Sequence, residues 1–278
     1  MSVSTRALFP MTASPMTQLL VCDLDGTLLL RGRLFADEDV DRLRSVGAAG
    51  GVRAIATGRA LATATKVIPV DFPIDYLIFS SGAGILDWRS RELIVTHTMD
   101  PSEVRVAMDA FLRLELDFMI HAPIPEQHIF RFHRTGKVNP DFERRLARYA
   151  ADGRVLNIDS ATTPASQLLA VSPNGDPDEP FQHLQRELAS LSVIRATSPL
   201  DGHSMWIEAF APNVSKSRAA EWIAQTRGIA REHTLALGND YNDWDLLRWA
   251  AKAAVIADAP AAMRDEFVAV RSLSDWLS

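Results

Sequence analysis

Two aspartates that stand two positions apart are the first residues that could do chemistry. Asp23 and Asp25 lie in the segment Asp-Leu-Asp-Gly-Thr, directly after the apolar residues 18–22. Side chains alternate along a strand, so both carboxylates lie on the same side of the chain. Two carboxylates packed together repel each other unless a cation or a proton lies between them. The segment therefore favours a catalytic or metal site over a simple Asp-Gly turn that ends a strand.

Thr57, Gly58 and Arg59 follow the next predicted strand, residues 52–56. A hydroxyl and backbone amides at a strand end that opens a helix can hold the oxygens of a phosphate. Threonine is also a common helix cap, and glycine is a common turn residue. Taken alone, these three residues are better explained by an ordinary turn and cap than by a phosphate site.

Lys216 stands early in a predicted helix over residues 215–227. Only four of the 29 basic residues are lysines, so arginine serves at most positions where a surface cation suffices. A lysine is a compact positive charge suited to a carboxylate or a phosphate, and the helix dipole disfavours a cation in the first turn. Both points suggest a specific requirement for lysine here. The alternative is a solvated helix lysine.

The fourth group is the loop 238–243, Gly-Asn-Asp-Tyr-Asn-Asp, which follows another apolar segment. Several oxygen-bearing side chains after a glycine suit a hard cation such as Mg²⁺. The alternative is a polar turn with a helix cap at Asn242 or Asp243. Each of the four groups follows a predicted strand or begins a helix, which would place all four at one edge of one sheet.

Strands and helices alternate in the first third of the chain and again in the last quarter, which predicts a parallel sheet covered on both faces. The part between them has more antiparallel signals, including a hairpin around residues 88–91. We therefore predict an α/β fold. A Rossmann-like parallel-sheet core, residues 17–83 and 211–278, is interrupted by an inserted α+β cap domain, residues 84–210.

In this order the four groups resemble the signature motifs of the haloacid dehalogenase (HAD) superfamily. Thr57 follows Asp23 by 34 residues, whereas Lys216 follows Thr57 by 159 residues, so the insertion lies between the second and third motifs. That arrangement is similar to the Cof-type branch, whose members are relatives of sucrose-phosphate and other sugar phosphatases. Segments 81–83 and 206–208 also resemble this branch.

The resemblance implies a mechanism of phosphate-ester hydrolysis. Asp23 would attack phosphorus and form an aspartyl-phosphate, and Asp25 would protonate the leaving oxygen and then activate water. Lys216 would hold both the phosphate and Asp23. Dehalogenases of the superfamily lack the second aspartate, so Asp25 argues against halide displacement. The residues assigned to phosphate or substrate binding are Thr57, Gly58, Arg59 and Asn242.

The resemblance also implies Mg²⁺ as the cofactor, which would let an anionic carboxylate approach an anionic phosphate. Its ligands would be the Asp23 carboxylate, the Asp25 backbone carbonyl and the fourth motif. Many relatives have Asp where this chain has Asn239. We expect Asn239 to be the ligand, supported by Asp243, with a lower metal affinity because an amide carries no charge. In the alternative, Asp240 or Asp243 binds the metal directly.

The predicted function is a Mg²⁺-dependent phosphatase that acts on a small phosphorylated metabolite, with a sugar phosphate as the leading substrate. Two alternatives stay open. A phosphotransferase or phosphomutase would form the same aspartyl-phosphate and pass it to a sugar hydroxyl. A non-catalytic protein on the same fold would only bind a phosphate-bearing ligand.

Substrate choice is expected in the cap, which would close over the phosphate site and exclude water. Arg131 and His133 alternate on a predicted strand and could face one way. We expect Trp206 in the core of the cap or at its junction, and Cys22 as a small core residue. The other candidates in the cap are His128, Lys137, Asp201 and His203.

Composition argues against several other classes of protein. Hydrophobic residues make up 47% of the 278 residues, which is ample for a core. The net charge of −6 argues against a nucleic-acid or anionic-membrane partner, and no apolar run reaches the roughly 18 residues that span a bilayer. The first sixteen residues are interpreted as a loose tail and not a signal peptide. The single cysteine fits a reducing compartment, so we expect a cytoplasmic protein.

Overall fold

The computed structural model describes residues 17–30, 34–160, 162–172 and 178–278. Within them the strands are β1 Leu19–Asp23, β2 Leu29–Leu30, β3 Leu34–Phe35, β4 Val52–Ala56, β5 Tyr76–Phe79, β6 Gly84–Asp87, β7 Leu93–Thr96, β8 Asp117–His121, β9 Phe130–His133, β10 Gly153–Val155, β11 Gln167–Ser172, β12 Ser192–Thr197, β13 Met205–Phe210, β14 Thr234–Gly238, β15 Lys252–Ile256 and β16 Val268–Val270. The helices are α1 Asp37–Ala48, α2 Leu61–Ala64, α3 Pro101–Arg113, α4 Pro140–Arg148, α5 Asp178–Glu187, α6 Lys216–Thr226, α7 Trp244–Trp249, α8 Ala261–Arg264 and α9 Leu273–Trp276. None of the helices in these residues is long and apolar enough to cross a membrane.

Eight strands form the first sheet in the order β16-β15-β14-β1-β4-β5-β6-β7. The six strands from β16 to β5 run parallel, and β6 and β7 extend the edge in antiparallel pairing. Helices α1, α2 and α9 cover one face, and α6, α7 and α8 cover the other. Coverage on both faces explains why β1 is buried at every position. The predicted α/β fold is confirmed.

Six strands form the second sheet in the order β10-β9-β8-β11-β13-β12. Neighbouring strands run antiparallel except β9 and β10. Helices α3 and α5 cover one face, the outer face, and α4 covers part of the other. We call the face that carries α4 the inner face. Strand register places Met119, His121, Gln167, Leu169 and Glu208 on it.

The structure places the change from the first sheet to the second between β7 and α3, not at residue 84. The hairpin predicted around residues 88–91 is present, since β6 and β7 pair antiparallel. Its first strand pairs with β5, however, and so continues the first sheet. An open sheet edge accepts an antiparallel strand through a short connection, which is why this hairpin adds there.

A tight turn at Ser80–Gly82 brings the end of β5 against the start of α6. Ser80 and Ser81 have positive φ values of 47° and 54°, and Gly82 has a φ of 105°. A Cβ on Gly82 would lie 2.2 Å from the carbonyl oxygen of Ser215. Glycine is therefore required by both the backbone conformation and the close approach. The turn holds Ser81 beside the start of the helix that carries Lys216.

Replacing Gly82 with alanine is expected to destabilise the protein more than the same change at Gly228. Both have positive φ, but a Cβ on Gly228 would stand in open space. Gly228→Ala therefore measures the backbone cost alone, about 1–2 kcal/mol, and Gly82→Ala adds a clash with the start of α6. Urea denaturation of both variants gives the two losses in free energy of unfolding. Equal losses would contradict the close packing at Gly82.

Candidate active site at the carboxyl edge of the first sheet

The four predicted groups meet at one edge of the first sheet. Strand β1 lies between β14 and β4 and runs parallel to both. Asp23 at the end of β1 therefore lies beside Gly238 at the end of β14 and Thr57 after β4. Lys216 begins α6, which packs on one face of this sheet. The structure thus brings together residues that are scattered over most of the chain.

Lys216 is buried between two carboxylates. Its Nζ donates hydrogen bonds to Oδ1 of Asp23 and Oδ1 of Asp243, each at 2.6 Å. The Oδ1 atom of Asn242 lies 3.5 Å from the same nitrogen. The alternative of a solvated helix lysine is wrong, because the side chain of Lys216 is 0% exposed.

This buried cluster of two carboxylates and one ammonium would carry an excess of negative charge if both carboxylates were ionised. Burial and the Asp243 carboxylate raise the pKa of Asp23 to about 8, and Lys216 acts in the opposite direction. Burial disfavours the charged form of Lys216, but Asp23 and Asp243 outweigh it and raise the pKa of the ammonium. Oδ2 of Asp23 accepts no hydrogen bond from the described residues. That oxygen is therefore available to a cation or to an electrophile.

Asp243 holds the fourth motif in place. Its Oδ2 accepts backbone N–H bonds from Asn239 at 2.8 Å and Asp240 at 3.2 Å, while its Oδ1 holds Lys216. A Cβ on Gly238 would lie 2.6 Å from Oδ2, so the loop closes this tightly only because residue 238 is glycine. Both oxygens of Asp243 have partners, which favours the role of supporting Asn239 and the loop over direct metal binding.

Asp240 contacts the second sheet. Its carboxylate accepts hydrogen bonds from the backbone N–H of Thr197 at 2.8 Å and from its Oγ1 at 2.9 Å. The guanidinium of Arg195, on the same strand, lies 4.0 Å from the centre of the Tyr241 ring. The geometry therefore disfavours Asp240 as a direct metal ligand, because both of its oxygens bind Thr197. Instead, Asp240 joins the fourth motif to β12.

The amide of Asn239 packs against the first motif. Its Oδ1 accepts a hydrogen bond from Oγ1 of Thr27 at 3.2 Å. Gly26 has a φ of 81°, and a Cβ there would lie 2.5 Å from Nδ2 of Asn239. Asn239 therefore lies next to the turn that contains Asp25, where the resemblance predicts a metal ligand.

Asp25 and Arg59 form a two-point ion pair. Nε of Arg59 donates to Oδ2 at 2.7 Å, and Nη2 donates to Oδ1 at 2.5 Å. Hydrogen bonding to Asp25 raises the pKa of Arg59 against the opposing effect of burial. Pairs of this kind fix geometry as well as charge. Arg59 is predicted to bind phosphate or substrate, but in the structure it orients the carboxylate that is predicted to act as the acid.

Thr57 is buried, and its Oγ1 accepts a hydrogen bond from the backbone N–H of Arg59 at 3.1 Å. It is not a helix cap, since α2 begins only at Leu61. A Cβ on Gly58 would lie 3.5 Å from Nδ2 of Asn242, a distance of ordinary contact. The Asn242 amide therefore lies next to both Gly58 and Lys216, an arrangement that is compatible with phosphate binding.

The oxygen atoms around Asp23 fit a hard divalent cation. The predicted set, Asp23, Asp25, Asn239 and the supporting Asp243, offers oxygen donors only, which Mg²⁺ prefers. A cation at this position would also favour ionisation of both carboxylates of the cluster. The described residues contain no group of three or more His, Cys, Asp or Glu side chains arranged for a metal ion.

A second polar group lies on the inner face of the second sheet. Glu208 accepts a hydrogen bond at Oε2 from Oγ of Ser81 at 3.2 Å and at Oε1 from Nε2 of Gln167 at 2.6 Å. Burial raises the pKa of Glu208 to about 7, against the opposing effects of Arg145, the two hydrogen bonds and Lys216. Glu208 therefore contacts the turn that packs against the start of α6.

Arg131 and His133 lie on the outer face of the second sheet. Their register partners on β8 are Ile120 and Phe118, which pack with the outer helices. Residues directly opposite each other in a sheet share a face. The prediction that Arg131 and His133 face one way is confirmed, but their face is opposite to the one that carries Glu208.

The other residues singled out from the sequence also have local partners or lie at the surface. Lys137 pairs with Glu115, Asp201 pairs with Arg144, and His203 is exposed. Nδ1 of His128 is buried without a hydrogen-bond partner in the described residues. As expected, Trp206 packs in the inner core and Cys22 is a buried core residue.

The inner face and α4 carry three polar residues that no sequence pattern indicates, namely His121, Gln167 and Arg145. His121 and Gln167 are polar residues at the ends of apolar strands and stand directly opposite each other in the sheet. Strand alternation could have indicated a shared face, but not which face meets the first sheet. Arg145 gives no signal in the sequence, because α4 has basic residues at several positions.

A model of the family of haloacid dehalogenase-like hydrolases matches residues 20–266. The chain belongs to this family. The predicted resemblance to the Cof-type branch of the superfamily is confirmed, and so is the prediction that the chain is an enzyme, a hydrolase.

Relatives at low sequence identity share the fold along almost the whole chain. A Mycoplasma pneumoniae protein named "Putative phosphatase" is 24% identical over 247 residues, 84% of this chain and 83% of the relative. The structure of a HAD-superfamily phosphatase from Bacteroides thetaiotaomicron superposes with a TM-score of 0.70 at 20% identity, over 95% of this chain and 93% of that one. A sugar phosphatase of HAD subclass IIB also gives a TM-score of 0.70, at 18% identity, over 94% and 95% of the two chains.

Proposed function

We propose that this enzyme is a Mg²⁺-dependent phosphatase that hydrolyses a small phosphate ester through an aspartyl-phosphate on Asp23. The observation that carries the proposal is the buried ion pair between Lys216 and Asp23, with 2.6 Å between Nζ and Oδ1. The pair anchors the carboxylate through one oxygen and leaves Oδ2 without a hydrogen-bond partner in the described residues. A positioned carboxylate with a free oxygen is suited to nucleophilic catalysis.

In the proposed reaction, Oδ2 of Asp23 forms a bond to phosphorus as the bond to the leaving oxygen breaks. Lys216 holds Asp23 and presents positive charge to the phosphoryl oxygens. Asp25, oriented by Arg59, gives a proton to the leaving oxygen and later takes one from the water that cleaves the aspartyl-phosphate. Mg²⁺ bound by the Asp23, Asp25 and Asn239 oxygens would reduce the repulsion between carboxylate and phosphate. Further phosphate contacts would come from Thr57, Gly58 and Asn242.

The substrate is proposed to be a sugar phosphate. The likeness in fold to a sugar phosphatase supports this choice. A panel of phosphate esters at neutral pH with Mg²⁺ tests the function, and release of inorganic phosphate is the expected result. Transfer from a hexose bisphosphate to a sugar hydroxyl without free phosphate would indicate a phosphotransferase, and no turnover of any ester would indicate a binding protein. The single, buried cysteine accords with the proposed cytoplasmic location.

Replacing Asn239 with aspartate is expected to tighten Mg²⁺ binding about tenfold, because the new carboxylate adds a charged ligand. The side chain keeps its shape and still offers an oxygen to Thr27. Titration of activity with Mg²⁺ gives one measure of affinity, and the rise in melting temperature with added Mg²⁺ gives another without turnover. Unchanged Mg²⁺ affinity by both measures would remove Asn239 from the ligand set.

A further inference from the structure

Glu208 is a buried carboxylate that the proposed reaction does not use. It is 4% exposed, and among the described residues no cation lies within ion-pair distance of it. Its two hydrogen bonds come from neutral groups, Ser81 and Gln167. Each carboxylate oxygen accepts one hydrogen bond and can accept a second. Burying such a group is costly unless it gains a further partner.

Arg145 on α4 is a cation in the same region without a carboxylate partner in the described residues. Its Nε donates to Sδ of Met119 at 3.3 Å, and its guanidinium lies 4.3 Å from the centre of the Trp206 ring and 5.6 Å from that of Tyr149. A thioether is a weak acceptor, so most of the five N–H donors stay available. Met119 and Glu208 are both register partners of Leu169, and Trp206 lies two residues before Glu208 on β13, so Arg145 packs over the part of the inner face that carries Glu208.

This pair lies beside the proposed phosphate site. Oγ of Ser81, which donates to Glu208, lies 3.6 Å from the position of a Cβ on Gly58. The positive charge of Lys216 lowers the pKa of Glu208, and Tyr149 next to Arg145 raises the pKa of Arg59. A phosphoryl group held at Gly58 and Lys216 would therefore have its leaving group close to the inner face of the second sheet.

We propose that Glu208 and Arg145 together bind the leaving group and select neutral, polyhydroxylated leaving groups. This inference rests on the proposed phosphatase function. One hydroxyl of the leaving group donates to Glu208, and the oxygen of another accepts from Arg145. A hydroxyl can both donate a hydrogen bond to Glu208 and accept one from Arg145. An ammonium group is repelled by Arg145, and a carboxylate or second phosphate is repelled by Glu208.

The ionisation of Glu208 predicts that substrate preference changes with pH, which can be measured. Its pKa of about 7 means that it becomes ionised as the pH rises through neutrality. The charged or titratable groups that face it are Arg145 from α4, Lys216 from α6 and His121 from β8. The first two stay cationic, and burial lowers the pKa of His121 to about 3, so it stays neutral. An ionised Glu208 accepts a stronger hydrogen bond, so preference for a hydroxylated ester should rise with pH.

The test compares sorbitol 6-phosphate with hexyl phosphate, two alkyl esters that differ in their hydroxyls. In Glu208→Gln, the ratio of kcat/KM for the sorbitol ester to that for the hexyl ester is expected to fall at least about tenfold, mostly through KM. Glu115→Gln makes the same change at an exposed glutamate that pairs with Lys137, and it should leave the ratio unchanged. Circular dichroism confirms that each variant is folded.

Two further measurements separate recognition from a structural effect. Arg145→Met keeps an apolar stem against Trp206 and should lower the same ratio. In the wild type the ratio should rise between pH 6 and pH 8 (a range about the Glu208 pKa of about 7), and in Glu208→Gln this added rise should be absent. The ionisation of the phosphate itself contributes equally in both enzymes, so the comparison isolates Glu208.

Two outcomes would overturn the assignment while leaving the phosphatase function intact. One is an equal loss of kcat/KM on both esters in Glu208→Gln. The other is a wild type that hydrolyses hexyl or p-nitrophenyl phosphate at least as well as every polyol ester. A wild type that hydrolyses none of these esters with Mg²⁺ would instead overturn the proposed function, and the assignment with it.

Discussion

Replacing Asp23 with asparagine is expected to reduce phosphatase activity by at least about 10³-fold. The substitution keeps the size of the side chain and an oxygen for Lys216, but it removes the nucleophile. The protein should remain folded. Because burial and Asp243 raise the pKa of Asp23, folding disfavours its ionised form at neutral pH. The metal-free variant should therefore melt no lower than the metal-free wild type at pH 7.

Steady-state hydrolysis of p-nitrophenyl phosphate and of the best ester from the panel measures this effect. Asp265→Asn is the matched control, because Asp265 is exposed and belongs to none of the four motifs. It should retain full activity. Wild-type rates in Asp23→Asn, after purification that removes contaminating phosphatases, would refute the role of Asp23 as the nucleophile.

Replacing Asp25 with asparagine is expected to separate the two halves of the reaction. An alkyl ester needs a proton on its leaving oxygen, so its hydrolysis should fall by about 10²–10⁴-fold. An aryl ester has a good leaving group and can still transfer its phosphoryl group to Asp23. The aspartyl-phosphate should then accumulate, because no carboxylate activates the attacking water. The variant also leaves Arg59 without its two-point partner.

Rapid mixing of Asp25→Asn with p-nitrophenyl phosphate provides the measurement. The expected result is a burst of about one p-nitrophenolate per site followed by slow turnover, the pattern of an accumulating covalent intermediate. Asp23→Asn should show no burst. If Asp25→Asn loses the same factor on alkyl and aryl esters and gives no burst, Asp25 is not the acid and base.

The candidate site shows which functional residues can be predicted from local sequence patterns. Asp23, Thr57 and the loop after β14 each follow a buried strand, and parallel pairing of β14, β1 and β4 places them together. Lys216 is distinguished by residue type, since lysine is rare in this chain. These predictions need only the positions where buried strands end, which hydrophobic patterns along the chain indicate.

Predictions that depend on the second sheet were less accurate. Arg131 and His133 alternate as expected of a strand, yet they lie on the outer face with Phe118 and Ile120. The residue that contacts the turn after β5 is instead Glu208 on the inner face, which also accepts a hydrogen bond from Gln167. Alternation predicts which residues share a face, but the face that meets the first sheet depends on long-range packing.

The family, the α/β class and the four motifs could all be predicted from residue types and from their spacing along the chain. The partner of each charged side chain could not, because it depends on how the whole chain packs. The structure pairs Arg59 with Asp25, joins Asp240 to Thr197 by hydrogen bonds and places Glu208 against Ser81. A hydrogen bond needs its atoms within about 3 Å. Over long stretches of chain, that distance is set by the packing of the two sheets.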